Sequence, residues 1–200
     1  MPYSQFTLRQ VRLDFDLTVQ EGGRFFPETP LVEPDSLLQQ ELAEGLPLVL
    51  ARGSEKARSE WIISPVLTAV RRLLKRQVSL FSGEDFTVDA SLGLNGYVDF
   101  LLSRSPTQLE IEAPAVVIVE AKKENLNGGL GQCIAAMIAA QTFNQANERP
   151  LPVLYGTVSS GTSWKFLKLE GRTVTIDLTE YPLPPVDQIL GFLIWMMEQG

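Results

Sequence analysis

The sequence predicts an α/β protein, a central mixed β-sheet flanked by helices, and three observations carry that prediction. Between residues 54 and 158 the apolar spacing changes from helical to alternating and back, in the order helix, three strands, helix, strand. With 200 residues, 44% of them hydrophobic and 20% charged, the chain is long and apolar enough to close a core as one domain. No internal repeat or low-complexity tract interrupts it. Residues 1–200 are therefore read as a single domain, with a lead-in at 1–50, a core at 54–158, and a hairpin and last helix at 160–200.

In chain order, the lead-in should hold a short helix at 5–14, then a turn-rich stretch marked by Gly22, Gly23, Pro27, Pro30 and Pro34. A second helix is expected at 35–44, followed by the short apolar run LPLVL, the whole segment capping the core. Ser54 is a good N-cap for a helix running to Arg76. Turned at 100° per residue, that helix aligns Ile62, Val66, Ala69, Val70 and Leu73 in one stripe, leaving Arg71, Arg72, Lys75 and Arg76 outside it. Pro65 should kink or divide it. Strands are expected at 78–89, 96–103 and 115–121, the first two joined at SLGLNG and the last two by a connection holding Pro106 and Pro114. The Ala-rich stretch GGLGQCIAAMIAAQTFNQ reads as a helix, 152–158 as extended, and SWKFLKLEG with RTVTIDL, split at Gly171, as a hairpin. The chain closes with the helix VDQILGFLIWMMEQ. Its residues 189–197 are apolar at almost every position and too few to cross a bilayer, which predicts either a homodimer or a helix covered by the lead-in.

Composition removes whole classes of chemistry. There is no histidine, so His-activated nucleophiles, His-ligated zinc and a His general base are excluded, and catalysis must rest on carboxylates, amines or a hydroxyl. Cys133 is the single cysteine, which excludes an intrachain disulfide or a Cys-clustered metal site. A net charge of -7 argues against coating nucleic acid or an anionic membrane by bulk electrostatics, while leaving room for a local basic groove. The first residues lack a signal-peptide pattern and no apolar run is long enough to span a membrane, so a cytoplasmic protein with no membrane partner is expected.

The chemically informative stretch is VVIVEAKKE. Side chains alternate along a strand, so Glu120 and Lys122 share one face at the end of a buried strand, and Ala121 and Lys123 share the other. Asp99 interrupts the apolar strand GYVDFLLS, and a carboxylate there needs hydrogen bonds, a cation or a metal. If the two strands are neighbours, Asp99, Glu120 and Lys122 converge. Glu55, at the start of the first core helix, projects along the apolar stripe and is expected to face inward, with Glu60 at the stripe's edge as a reserve. Gln132 lies early in the Ala-rich helix, within reach of the same cleft.

Asp99 followed by Glu120-Ala121-Lys122 in a helix-strand-strand-strand-helix order resembles the PD-(D/E)xK nuclease superfamily. Residues 54–67, SEKARSEWIISPVL, are similar to the first core helix of the nuclease domain in type I restriction-enzyme R subunits. The resemblance covers about 54–158 and implies a restriction-endonuclease-like core that hydrolyses phosphodiester bonds, most simply as a DNA endonuclease. It implies Mg²⁺ or Mn²⁺ as cofactor, held by Asp99, Glu120 and the backbone carbonyl of Ala121, with Lys122 acting on the attacking water and Glu55 reaching the metal through water. Gln132 would match the family's helix glutamine, but Ala136 stands where tyrosine often follows, and Val98 stands where proline precedes the aspartate. Nucleic acid is the implied partner, with Arg71, Arg72, Lys75 and Lys123 as candidate contacts. The competing expectations are a non-catalytic binding module on the same fold and, less favoured, a scaffold assembled through its last helix.

Overall fold

The computed structural model describes residues 2–199 and is an α/β protein, a mixed eight-stranded sheet flanked by helices. Seven strands follow the order β1-β7-β6-β5-β4-β3-β2, and β8 pairs with β6. They are β1 (Thr18–Gly22), β2 (Ser79–Asp85), β3 (Tyr97–Ser103), β4 (Ala115–Ala121), β5 (Leu154–Ser159), β6 (Ser163–Glu170), β7 (Thr173–Asp177) and β8 (Tyr181–Pro182). Only β4 with β5 and β1 with β7 run parallel; the remaining pairs are antiparallel. The β4–β5 step needs a crossover, and the helix α5 (Leu130–Ala146) supplies it. Among the described residues no helix is long and apolar enough to cross a membrane.

One face of the sheet is covered by α5, itself overlaid by the N-terminal segment and α1 (Leu8–Asp14). Being covered on both sides explains why α5 is apolar nearly all round: Met137 and Cys133 lie over Gly156 of β5, while Gly131 lies against the backbone of Phe6 and Thr7. At the far end of α5, the buried Asn144 side chain accepts from the Ala115 amide at 2.8 Å and donates to the Ala115 carbonyl at 2.8 Å, so it pairs with the first residue of β4 as a neighbouring strand would.

The other face is covered by α2 (Ser36–Arg52), α4 (Ser64–Leu73) and α6 (Asp187–Glu198). The lead-in runs over α6: Phe26 stacks on Phe192 at 3.9 Å and meets Trp195 edge-on at 5.5 Å, Val32 donates its amide to Asp187, and Gly191 lies beneath the Pro30 carbonyl. Leu193 and Met196 are wholly buried. Sheet on one side and lead-in on the other account for the unbroken apolar run ILGFLIWMM. Because Phe26 fills the space between α6 and β6, Phe26→Ala is expected to destabilise the fold by about 3 kcal/mol, measurable as a lower urea midpoint with unchanged slope.

Several local expectations are corrected. The lead-in does more than cap the core, since β1 joins the sheet as an edge strand beside β7. The expected helix at 35–44 and the separate run LPLVL are one helix, α2, which continues through Pro47. Leu38, Leu42, Gly45 and Val49 keep helical spacing across the proline, and a Cβ at Gly45 would sit 2.5 Å from the Trp61 carbonyl, so this close helix contact requires glycine. The expected 54–76 helix is three pieces: α3 (Glu55–Arg58), a π-turn at Ser59–Ile63, and α4. Pro65 has no amide to donate, and the chain responds one residue earlier with a wide Ser64-to-Ser59 bond. The helix stops at Leu73 because Lys75 and Arg76 take φ of 55° and 59°. The expected 78–89 strand ends at Asp85.

Candidate functional site

The site is made by two adjacent strands that part. The β3–β4 ladder ends at Phe100↔Val119, so the next facing residues, Asp99 and Glu120, lie where the strands have opened. The Asp99 carboxylate occupies the gap and accepts from the Ala121 amide at 2.7 Å. On the other side of β4, parallel pairing with β5 persists through Ala121↔Ser159, and the Lys122 amide donates to the Ser159 carbonyl at 2.8 Å. The strand end is thereby held while one edge stays open. Gly83 of β2 lies level with Asp99, between the Ser82↔Phe100 and Glu84↔Val98 pairs, and places no side chain over it.

Lys122 and Glu120 project together, as strand alternation requires, and the Lys122 Nζ stands 2.6 Å from Glu120 Oε1. Glu120 is only 8% exposed. A tight turn at Leu126–Gly129 leads into α5 directly above them. A Cβ at Gly129 would lie 2.7 Å from Val158, 3.1 Å from the Lys122 Cγ and 3.2 Å from the Glu120 Cγ, so the turn packs on the pair and glycine permits it. Cys133 lies behind them, fully buried, with its thiol pushed far up by burial and then by Glu120; it is not a nucleophile.

Electrostatics mark the same residues. Burial, then Asp99, raise the Glu120 carboxyl to about 7 despite Lys122, with Glu55 adding to the rise. Asp99 is raised as well, chiefly by burial, against the Ala121 hydrogen bond and Lys122. Burial opposes the Lys122 ammonium, yet Glu120, Glu55 and Asp99 together hold it above its ordinary value. Two carboxyls that resist ionisation beside one another form a place where added positive charge is stabilising.

Asp99, Phe100 and Ala121 form one wall of a cleft of about 310 Å³, Glu55, Ser59 and Glu60 another. Glu120 and Lys122 are not part of this cleft's wall, yet the four residues expected to act together, Glu55, Asp99, Glu120 and Lys122, are within electrostatic reach of one another. Glu55 departs from expectation in its setting: it is exposed at the cleft's rim, because α3 is a single turn at the surface and the apolar stripe begins only at Ile62. Glu60 lines the cleft but is exposed and bridged to Lys56 at 3.6 Å. Gln132 is half-buried in the first turn of α5 and does not form part of the cleft wall. Two of the expected nucleic-acid contacts are engaged elsewhere. Arg72 makes a two-point pair with Asp35 at 2.9 and 3.0 Å, and Arg71 donates to the Val78 carbonyl at 3.0 Å, so both pin α4 to its surroundings. Lys75 and Lys123 are exposed.

Sequence reasoning missed Lys165. It is 4% exposed on β6, in the lateral row Glu120–Val158–Lys165, and its Nζ reaches Asn127 Oδ1 at 2.9 Å and Glu180 at 3.2 Å. Through Asn127 it anchors the turn that covers Glu120 and Lys122. The signal was a lysine between Trp164 and Phe166, the same interruption of an apolar strand that exposed Asp99. Arg58 was also missed; it ties α3 to the β5–β6 turn through Ser160 and Thr162.

Among the described residues no group of three or more cysteine, aspartate or glutamate side chains is arranged to hold a metal ion. The donors that do converge are two carboxylates, hard oxygen ligands of the number that Mg²⁺ commonly takes from protein while keeping water on its remaining positions. Compared with known proteins, the chain matches no family model and no curated protein. What fold and site define is therefore an α/β protein with a carboxylate–lysine cluster at the parted end of two central strands.

Proposed function

We propose that this chain is a Mg²⁺- or Mn²⁺-dependent nuclease with a restriction-endonuclease-like core, hydrolysing phosphodiester bonds in nucleic acid, foremost as a DNA endonuclease in the cytoplasm. The observation that supports the reading is the electrostatic coupling of Asp99 to the Glu120–Lys122 pair at a parted strand end, with Asp99 in the wall of a cleft. When bound there, a divalent ion supplies charge neutralisation to the phosphate and lowers the proton affinity of water. Asp99 and Glu120 would hold it, with the Ala121 carbonyl as a further oxygen. Asp99 is oriented by the Ala121 amide, which engages Oδ2 and leaves Oδ1 as the oxygen that would serve as a ligand. Lys122, now paired with Glu120, would supply its ammonium to the water or to charge developing on the phosphate if Glu120 held a cation instead. Glu55 at the rim would act through water.

A non-catalytic binding module is the second reading, and the 2.6 Å Lys122–Glu120 pair favours it, since a pair that stays closed withholds both groups from chemistry. A cleavage assay on single- and double-stranded DNA and RNA with Mg²⁺ or Mn²⁺ separates the two. The expected result is metal-dependent cleavage of at least one substrate, lost in Asp99→Ala; absence of cleavage with either metal overturns the nuclease reading.

A further inference from the structure

With Arg71 and Arg72 tied down, cationic groups near the acids must be sought on another surface. Arg52 ends α2, Arg58 lies in α3, and Lys123 follows Lys122 directly; all three line a second cleft, of about 690 Å³. Glu55 borders both clefts, so the second adjoins the one walled by Asp99. Arg52 and Lys123 are exposed, and among the described residues neither makes an ion pair or a side-chain hydrogen bond. Arg58 is fixed by Ser160 and Thr162 at 2.9 and 3.2 Å, which leaves its charge in place, and its Nε is buried without a hydrogen-bond partner. Glu55 and Glu124 share this cleft, so its excess of positive charge is small.

The opposite rim has the reverse sign. Next to Gly83 of that cleft's wall, on the outer strand β2, Glu84 and Asp85 are exposed, and Glu60 over the cleft is paired with Lys56 at 3.6 Å, which leaves the acids in excess on this side. Two backbones of a duplex would have to meet both rims, whereas one strand can lie along the cationic rim alone.

We propose that the cleft lined by Arg52, Arg58 and Lys123 seats the phosphates of one nucleic-acid strand leading to Asp99, and that the acidic β2 rim repels a second backbone, so that single-stranded nucleic acid is bound in preference to duplex. This rests on the phosphodiester reading of the site. Three cationic contacts to a single strand correspond to a slope of about -2 in log K against log salt concentration.

The test is fluorescence anisotropy of the full chain with a labelled single-stranded oligodeoxynucleotide and with its duplex, in Ca²⁺, across a salt series. The expected result is single-strand binding at least about tenfold tighter than duplex, with Arg52→Ala and Lys123→Ala each reducing the magnitude of the slope by about 0.7. Arg9→Ala, on α1 at the other face of the sheet, should leave the slope as in wild type. Duplex binding equal to or tighter than single strand, or slopes unchanged in both variants, overturns the proposal. Cleavage in Mg²⁺ together with unchanged slopes overturns this proposal alone; the expected slopes without any cleavage support it and overturn only the catalytic reading.

Discussion

Lys122→Ala is expected to lower the cleavage rate at saturating Mg²⁺ by about 10²–10³-fold while leaving the fold intact, a loss of the size seen when one group that stabilises transition-state charge is removed. The lysine is half-buried rather than central to the core, and its backbone amide, which holds the strand end to Ser159, survives the substitution. Metal affinity should be retained or slightly increased, because Glu120 Oε1 no longer has an ammonium 2.6 Å away competing for it. Lys123→Ala is the internal comparison: exposed and one residue along, it should leave the rate at saturating substrate unchanged and alter only salt-dependent binding. Rate and titration calorimetry on the two variants check this, and equal cleavage by wild type and Lys122→Ala would falsify the role given to Lys122.

The second large effect is on stability. Glu120 is raised from an ordinary 4.5 to about 7, so between those values the folded chain holds a proton that the unfolded chain has released. Stability supplied by that proton is full below pH 4.5 and is lost as pH rises towards 7, about 3 kcal/mol in all. Asp99, also raised, acts in the same direction; Asp35, lowered by its bond to Arg72, contributes oppositely and only at lower pH. The informative quantity is therefore the difference in urea stability between wild type and Glu120→Gln in EDTA. That difference should shift against wild type as pH rises through the window, and Mg²⁺ should flatten it by supplying the missing positive charge. A difference curve independent of pH would show that Glu120 titrates normally.

The parts of this molecule legible in its sequence are those with a local signature. Strands β3 and β4 could be placed because their apolar runs are bounded by turns, and Asp99, Glu120 and Lys122 because charge inside such a run is conspicuous. Strand β1 was not visible: TVQEG is an exposed edge strand whose polar sequence needs only one neighbour, β7. Helix α2 outruns the expected 35–44 because the packing of Leu42 and Val49 on either side of Pro47 carries the helix through. Arg72 looked like a free surface cation because its partner, Asp35, lies 37 residues earlier, beyond any periodicity. Glu55 was turned inward by extending one regular helix across a segment that contains a π-turn.

The clamp between Asn144 and Ala115 acts as the zero mark of a ruler. A strand rises about 3.3 Å per residue, so fixing Ala115 sets Glu120 about 17 Å further on, at the place where β3 has parted from β4. Sliding by a single residue would invert the strand, turning Ala121 to the place of the carboxylate and sending Glu120 and Lys122 through the sheet to the opposite layer. An amide at the far end of a helix, touching none of the reactive groups, thus sets which of two interleaved sets of side chains the open end displays.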